Sequence, residues 1–204
     1  MFSCDVNTNR NLTYLALGDS YTIGEGVDSL ERYPNQFVNF LSKKNITIDD
    51  LRVIAKTGWT TDELKEEIIS LNITKKYDLV SLLIGVNNQY RGRSSSDFKK
   101  EFKDLLNIAL NFSKNKNVSV LTIPNWGATP FAKERNSKSI RDSLIIYNKI
   151  VKDLCNKYNV DVIDIFKISN KVDKRPELLA SDSLHPSGLM YSLWAKKMID
   201  EWKI

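Results

Sequence analysis

The stretch LTYLALGDSYTIGEG, residues 12–26, decides the fold. Its first part, LTYLAL at residues 12–17, is almost entirely apolar and ends at Gly18, which predicts a buried β-strand. The turn formed by Gly18, Asp19 and Ser20 then leads the chain away from that strand. A serine in such a turn places its hydroxyl at the edge of a sheet, beside backbone N–H groups that point toward a ligand. The stretch therefore predicts a strand followed by a candidate nucleophile.

Further apolar runs follow along the chain, separated by longer amphipathic segments. The predicted strands are residues 12–17, 50–55, 78–85, 118–124 and 160–165, and the predicted helices are residues 34–44, 60–71, 94–114, 137–158 and 187–203. Alternating strands and helices form β-α units, which predicts an α/β fold with a five-stranded parallel sheet and helices on both faces. In such sheets, ligands bind beyond the carboxyl ends of the strands. We therefore expect the functional residues at that edge.

Length and composition favour one globular domain. A chain of 204 residues fits a single hydrophobic core, and we expect residues 1–204 to form one domain with residues 1–11 as an N-terminal tail. No run approaches the ~20 apolar residues of a membrane span. The net charge of +5 is the balance of 30 basic and 25 acidic residues, and the lysines are scattered along predicted helices. Because no basic stripe with interleaved aromatic residues is present, nucleic-acid binding is not expected.

The two cysteines bear on the compartment and on metal binding. Cys155 lies in an apolar helical pattern and is expected to be a small core residue. Cys4, in MFSC, belongs either to an ordinary N-terminus or to a lipoprotein signal whose apolar stretch precedes Met1. The first interpretation favours a cytoplasmic protein, and the second a periplasmic or cell-envelope lipoprotein. One histidine and two distant cysteines do not make a structural zinc site, and no metal ligands are predicted.

The only histidine, His185, lies in SDSLHPSG at residues 181–188. Asp182 precedes it by three residues, so that the carboxylate and the imidazole can meet within one turn. A carboxylate in this position holds the imidazole in one tautomer and stabilises its protonated form. A serine hydroxyl is a poor nucleophile until such a base takes its proton. The pattern therefore indicates a catalytic triad of Ser20, His185 and Asp182.

Acyl transfer also needs hydrogen-bond donors for the oxyanion that develops on the carbonyl. Gly58 follows the second predicted strand, in AKTGWTT, and Asn87 follows the third, in LIGVNNQYRG. The glycine lets a backbone N–H approach a ligand closely, and the asparagine offers a side-chain amide. Each residue alone would also fit a simple turn. Their joint position after two strands favours an oxyanion hole.

Together these motifs resemble the GDSL/SGNH hydrolase family, which is named for blocks built on Ser, Gly, Asn and His. The resemblance extends from about Leu12 to Trp194, and its most specific blocks are GDSYTIGEG and DSLHPSG. It implies a three-layer, flavodoxin-like α/β/α fold without a metal or organic cofactor, and ester hydrolysis through an acyl-enzyme. Ser20 matches the family's nucleophile and first oxyanion donor. Gly58 matches the second donor and Asn87 the third. His185 matches the base, and Asp182 its acidic partner.

Two positions depart from the family pattern. Tyr21 stands where the family name has Leu, which is common among bacterial relatives. The third block usually ends Asn-Asp, but here it is Asn87 followed by Asn88. Because the donor is the first of the two, we expect activity to be retained. The change from Asp to Asn88 is expected to alter the hydrogen bonds that support the loop behind that donor.

Substrate choice is expected to lie in residues 89–96 and 124–136, which should overhang the strand ends. Aromatic side chains there would line an acyl or sugar pocket, and an arginine would favour an anionic group. No long hydrophobic lid is evident, which favours short acyl chains. The candidate substrate-binding residues are Asp19, Tyr90, Arg91 and Trp126, with Phe131 as a further lining residue.

The predicted function is a carboxylic ester hydrolase that acts on a small-molecule or glycan ester. A carbohydrate O-deacetylase of the same fold is the nearest alternative. A catalytically silent, ligand-binding relative is an alternative from another class, although such proteins generally lose the serine or the histidine. A nucleotide-binding module is disfavoured because the first turn has neither a Gly-x-Gly-x-x-Gly spacing nor a P-loop lysine.

Overall fold

Five parallel strands form one sheet in the computed structural model, which describes residues 10–204. The strands are β1 (Arg10–Gly18), β2 (Ile46–Ala55), β3 (Leu79–Leu83), β4 (Val118–Leu121) and β5 (Asp161–Ile163). Their order in the sheet is β2-β1-β3-β4-β5, and all neighbouring pairs are parallel. The predicted α/β fold with a five-stranded parallel sheet is confirmed. Cys4, on which the lipoprotein interpretation depends, lies outside the described residues.

Helices cover both faces of this sheet. They are α1 (Ser20–Ile23), α2 (Tyr33–Ser42), α3 (Thr61–Ser70), α4 (Val86–Tyr90), α5 (Ser95–Phe112), α6 (Ser137–Tyr158), α7 (Phe166–Ser169) and α8 (Gly188–Glu201). Single 3-10 turns span Trp126–Ala128, Pro130–Ala132 and Pro176–Leu178. Helix α2 packs against α8 on one face, whereas α3 and α6 pack against α5 on the other. The result is the expected three-layer α/β/α arrangement.

Local sequence explains several of these boundaries. All five residues of β3 are buried, as expected for a parallel strand covered on both faces. Helix α3 begins with a capping box in which the Thr60 N–H donates to Glu63 Oε2 at 2.8 Å. Helix α5 begins at Ser94, whose hydroxyl accepts a hydrogen bond from the Asp97 N–H at 3.0 Å.

The structure corrects the predicted boundaries at the start of the sheet. Residues 10 and 11 belong to β1, not to the predicted tail of residues 1–11. Strand β2 begins at Ile46, four residues before the predicted start, because its pairing with β1 already begins at Arg10. Residues 46–49 belong to an edge strand, are at least partly exposed and alternate between apolar and polar side chains, so they lack the apolar run by which strands are recognised. Helices α1, α4 and α7 are too short for helical periodicity to reveal them.

The strand register brings the predicted functional loops to one edge. Gly18, at the end of β1, pairs with Ala55 of β2 and with Leu83 of β3. A Cβ atom at Gly18 would lie 2.4 Å from the Leu83 carbonyl oxygen and 2.1 Å from Thr22 Oγ1, so only glycine fits at this position. Strand β1 lies between β2 and β3, where the strand order reverses. This switch point is the usual ligand site of open parallel sheets.

Candidate active site

Ser20 is the first residue of α1, immediately beyond the end of β1. Asp19 caps this short helix, since its Oδ1 accepts a hydrogen bond from the Tyr21 N–H at 3.1 Å. The N–H groups in the first turn of a helix have no intrahelical partner. Ser20 itself is 5% exposed and borders an open cleft. The serine therefore combines a hydroxyl at a cleft with a backbone N–H that the helix does not use.

His185 and Asp182 lie together in the loop before α8. The His185 Nδ1 atom is 2.5 Å from Asp182 Oδ2, and Asp182 Oδ1 accepts the N–H groups of Leu184 and His185, both at 2.9 Å. Partial burial raises the pKa of the Asp182 carboxyl, but hydrogen bonds from the His185 ring and from the two backbone groups outweigh it and hold the pKa below its usual value. Asp182 is thus a carboxylate that orients the ring and leaves Nε2 for another partner.

Ser20 and His185 border the same cleft but are not hydrogen-bonded to each other within the described residues. Such bonds are often long in free enzymes and tighten when substrate binds. The His185 ring also packs against Tyr21 in an edge-type arrangement, with ring centroids 5.7 Å apart. Ser20 and the His185 ring thus lie on the lining of one cleft.

The two other predicted donors border this cleft as well. Gly58 has a φ of +88°, and the turn around it is closed by the Trp59 N–H, which donates to the Lys56 carbonyl at 3.2 Å. The Gly58 N–H donates no hydrogen bond within residues 10–204. The Asn87 amide donates to the Trp59 carbonyl at 2.9 Å, and its second N–H remains for a ligand.

Asn88, which departs from the family pattern, is fully buried and hydrogen-bonded. Its Oδ1 accepts the Thr61 N–H at 3.1 Å, and its Nδ2 donates to Thr61 Oγ1 at 2.6 Å and to Glu101 Oε2 at 3.2 Å. The Thr61 hydroxyl also donates to the same Glu101 oxygen. This network therefore links helices α3, α4 and α5 behind Asn87.

The cleft has a volume of about 160 Å³. It is lined by Ser20, Tyr21, Thr57, Gly58, Val86, Asn87, Tyr90, Trp126, Phe131, Leu184 and His185. Sequence reasoning missed four of these, namely Tyr21, Thr57, Val86 and Leu184. Each of the four is the immediate sequence neighbour of a predicted site residue. Their position next to a predicted site residue, at a strand end or in a tight turn, is the sequence signal that could have identified them.

An aromatic wall formed by Tyr90, Trp126 and Phe131 closes one side of the cleft. The Trp126 ring lies 5.4 Å from that of Tyr90 and 6.2 Å from that of Phe131. Its Nε1 donates to Gln89 Oε1 at 2.7 Å, which fixes the indole. The Arg135 guanidinium stacks outside the wall, 4.9 Å from the Tyr90 centroid. The predicted lining by these three aromatic residues agrees with the structure.

Two predicted substrate-binding residues do not line the cleft. Asp19 is fully buried, because it caps α1 from inside the protein. Burial raises the pKa of the Asp19 carboxyl to about 7 against the lowering effect of its backbone hydrogen bonds. The Arg91 guanidinium donates to the Gly58 carbonyl and to Glu63 and is engaged within the protein. Both residues lie next to the cleft but are not part of its lining.

Across residues 10–204, no group of three or more His, Cys, Asp or Glu side chains is arranged to hold a metal ion. The helices within that range include none with the length and apolar character needed to cross a membrane.

Solved structures with this architecture include several esterases and lipolytic proteins. An acetylxylan esterase from Geobacillus stearothermophilus superposes with a TM-score of 0.76 at 20% identity, over 95% of this chain and 94% of its own. A lipase/acylhydrolase from Enterococcus faecalis gives 0.73 at 18% identity, over 94% of each chain. A lipolytic protein of the G-D-S-L family from Veillonella parvula gives 0.71 at 16% identity, over 92% of this chain and 96% of its own. At these identities, the likeness shows a common fold.

Sequence comparison supplies the family. None of the curated proteins matched this chain. A family model described as the GDSL-like Lipase/Acylhydrolase family matches residues 16–193, which include every predicted catalytic and oxyanion residue. The match spans most of the sequence, and the chain therefore belongs to the GDSL-like lipase/acylhydrolase family.

Proposed function

We propose that this chain is a serine esterase that cleaves short-chain carboxylic esters through Ser20, His185 and Asp182. Family membership supports an esterase or acylhydrolase. The observation that carries the finer proposal is the cleft shared by Ser20, His185, Gly58 and Asn87, with His185 bound to Asp182 at its far side.

The first half-reaction transfers the acyl group to the enzyme. The Ser20 Oγ atom attacks the ester carbonyl while His185 Nε2 takes the hydroxyl proton. Asp182 keeps the ring in the tautomer whose Nε2 is free and stabilises the imidazolium that forms. His185 then gives the proton to the leaving alcohol, and Ser20 remains as an acyl ester.

The oxyanion of each tetrahedral intermediate would be held by the N–H groups of Ser20 and Gly58 and by the free N–H of the Asn87 amide. Donors that need no rearrangement during the reaction stabilise the transition state most, and removing one typically costs ~10²–10³ in rate. In the second half-reaction, His185 takes a proton from water, which attacks the acyl carbonyl. Collapse of this intermediate releases the carboxylic acid and returns the proton to Ser20.

The size of the cleft supports a short acyl group. A cavity of ~150 Å³ accommodates a molecule the size of benzene, and the cleft measures about 160 Å³. Val86, Trp126 and Leu184 give it apolar surface that suits a hydrocarbon. Acetate and butyrate esters fit these dimensions better than palmitate esters do.

A carbohydrate O-deacetylase is the second candidate. Tyr90 and Phe131 are each 44% exposed at the mouth of the cleft, and flat aromatic faces of this kind suit a sugar ring. An acetylxylan esterase is among the proteins that share this fold. Acetate release from acetylated xylan at a higher kcat/KM than from simple acetate esters would favour this candidate.

The decisive experiment compares wild type with Ser20→Ala on p-nitrophenyl esters of acetate, butyrate, octanoate and palmitate. Turnover and labelling by a fluorophosphonate should both disappear in Ser20→Ala and persist in Ser29→Ala, which changes an exposed serine of the same region. Wild-type rates in Ser20→Ala would overturn the proposed mechanism. Absence of labelling and turnover in the wild type would favour a catalytically silent, ligand-binding protein. A preference for palmitate would contradict the short-chain assignment.

A further inference from the structure

The turn that carries Gly58 has a conformation on which its proposed donor depends. Residues 56–59 form a β-turn closed by the hydrogen bond from the Trp59 N–H to the Lys56 carbonyl. The φ of +88° at Gly58, the third residue, is that of a type II turn. The peptide between the second and third residues points in opposite directions in type I and type II turns. The Gly58 N–H belongs to that peptide, so the turn type decides where this donor points.

The Arg91 side chain, at the end of α4, is hydrogen-bonded to this turn. Its Nη2 donates to the Gly58 carbonyl at 2.7 Å, and its Nη1 donates to Glu63 Oε1 at 3.0 Å. Glu63 is itself held by the capping box at the start of α3. The Arg91 backbone N–H donates to the Asn87 carbonyl at 3.0 Å and closes α4. A single residue thus links the segments that carry two of the proposed oxyanion donors.

These contacts argue against a direct contact between Arg91 and substrate. Arg91 is not among the residues that line the cleft, and its charge is paired with the Glu63 carboxylate. A guanidinium with both of its ends engaged loses those bonds if it turns toward an anionic substrate. The contact with Gly58 is therefore the one through which the Arg91 side chain reaches the site, and it is lost in an alanine variant that keeps the backbone bond to Asn87.

We propose that Arg91 is a positioning residue that holds the Gly58 N–H in the direction of the oxyanion, an inference that rests on the proposed function. The peptide that follows Gly58 is hydrogen-bonded at both ends: its carbonyl accepts from Arg91, and its N–H, that of Trp59, donates to the Lys56 carbonyl. Without the Arg91 contact that peptide is held at one end. Glycine has no side chain to oppose rotation of the preceding peptide. Part of the population then adopts the turn in which the donor points away from the cleft.

The test is Arg91→Ala, measured with p-nitrophenyl acetate. An oxyanion donor acts in the transition state, so we expect kcat to fall by about 10- to 100-fold while KM changes by less than about threefold. The inhibition constant of a boronic acid, which forms a tetrahedral adduct with a serine nucleophile, should rise in parallel with the loss of kcat/KM. Arg91→Lys keeps a donor for the Gly58 carbonyl and should recover part of the rate.

Arg93→Ala is the matched control. The Arg93 guanidinium pairs with Asp62 at 2.5 Å, on the same helix as Glu63, and lies 3.9 Å from Glu101 Oε2, but contacts none of the three proposed donors. We expect its kcat to stay within about twofold of wild type. Titration with the fluorophosphonate gives the fraction of folded enzyme in each variant, so that kcat is compared per active site.

Two results would overturn the inference: a kcat within about twofold of wild type in Arg91→Ala, or an equal loss in Arg93→Ala. Either result, with Ser20→Ala inactive, would leave the proposed function standing. Activity of Ser20→Ala at the wild-type rate would instead overturn the proposed function together with the inference.

Discussion

The His185 Nδ1 atom lies 2.5 Å from Asp182 Oδ2, while the other carboxylate oxygen of Asp182 accepts two backbone N–H groups of the same loop. One oxygen therefore orients the imidazole and the other fixes the turn that carries it. The two residues are three positions apart, and the turn between them includes Ser183 at a φ of +61°. Because the two oxygens have different partners, an amide at position 182 should change the contact with the imidazole and keep the hydrogen bonds of the turn.

Asp182→Asn should abolish most activity while leaving the protein folded. Its amide oxygen preserves the backbone hydrogen bonds, but its NH₂ group donates to Nδ1 and selects the tautomer whose Nε2 carries the proton and cannot act as a base. Such a change typically lowers kcat by ~10⁴. Turnover of p-nitrophenyl acetate measures this, with Asp200→Asn on the exposed face of α8 as control. A kcat within about tenfold of wild type would show that Asp182 does not support the base.

Asp19→Asn should make stability less sensitive to pH. Burial raises the pKa of Asp19 to about 7, and its Oδ2 has no hydrogen-bond partner within residues 10–204. Since the folded state holds this proton more tightly than the unfolded state, the free energy of unfolding of the wild type should decrease as the pH rises from about 4 to about 7. The asparagine carries no charge to bury.

The stability gained by Asp19→Asn should therefore grow from pH 4 to pH 7 and then level off. Urea unfolding of both proteins across this range gives the difference directly, and Asp49→Asn, at an exposed position of β2, serves as control. A difference that stays constant with pH would contradict the burial of an ionisable Asp19.

The positions of Ser20, Gly58 and Asn87 could be predicted because they depend on local signals. Apolar runs indicate where strands end, and parallel strands end at one edge of a sheet. Gly18 pairs with Ala55 and Leu83, so the last residues of these three strands lie side by side at one edge. Asp182 and His185 were predictable for a similar reason, since both lie in one turn.

The burial of Asp19 and the contact of Arg91 with Gly58 could not be predicted in the same way. Carboxylates are rarely fully buried, so sequence alone favours a substrate contact for an aspartate beside the nucleophile. Arg91 meets Gly58 across 33 positions of sequence. The direction of such a long side chain depends on how α3 and α4 pack, which no local pattern specifies. Tertiary packing therefore decided which polar residues face the cleft.

Phe131→Ala should shift the preference toward longer acyl chains. The Phe131 ring is 44% exposed at the mouth of the cleft and contacts Trp126, so its removal opens the cleft without emptying the core. One methylene in an apolar pocket changes specificity by ~10-fold or more. We expect the ratio of kcat/KM for octanoate to that for acetate to rise by about tenfold. Ile146→Ala, at an exposed position on α6, should leave the ratio unchanged, and an unchanged ratio in Phe131→Ala would place the acyl group elsewhere.

Asn88→Asp, which restores the usual family residue, should destabilise this chain. Asn88 Nδ2 donates to the Thr61 hydroxyl and to Glu101 Oε2, and an aspartate would place a carboxylate oxygen against the Glu101 carboxylate. Loss of both donations beside a like charge should cost about 1–3 kcal/mol of unfolding free energy at pH 7. Glu101→Gln in the same protein supplies an N–H to the new aspartate and should recover most of that loss. A double-mutant cycle from urea unfolding measures the coupling. If Asn88→Asp is as stable as wild type, or if Glu101→Gln does not change its effect, then the Asn88–Glu101 contact does not explain why this chain has asparagine at position 88.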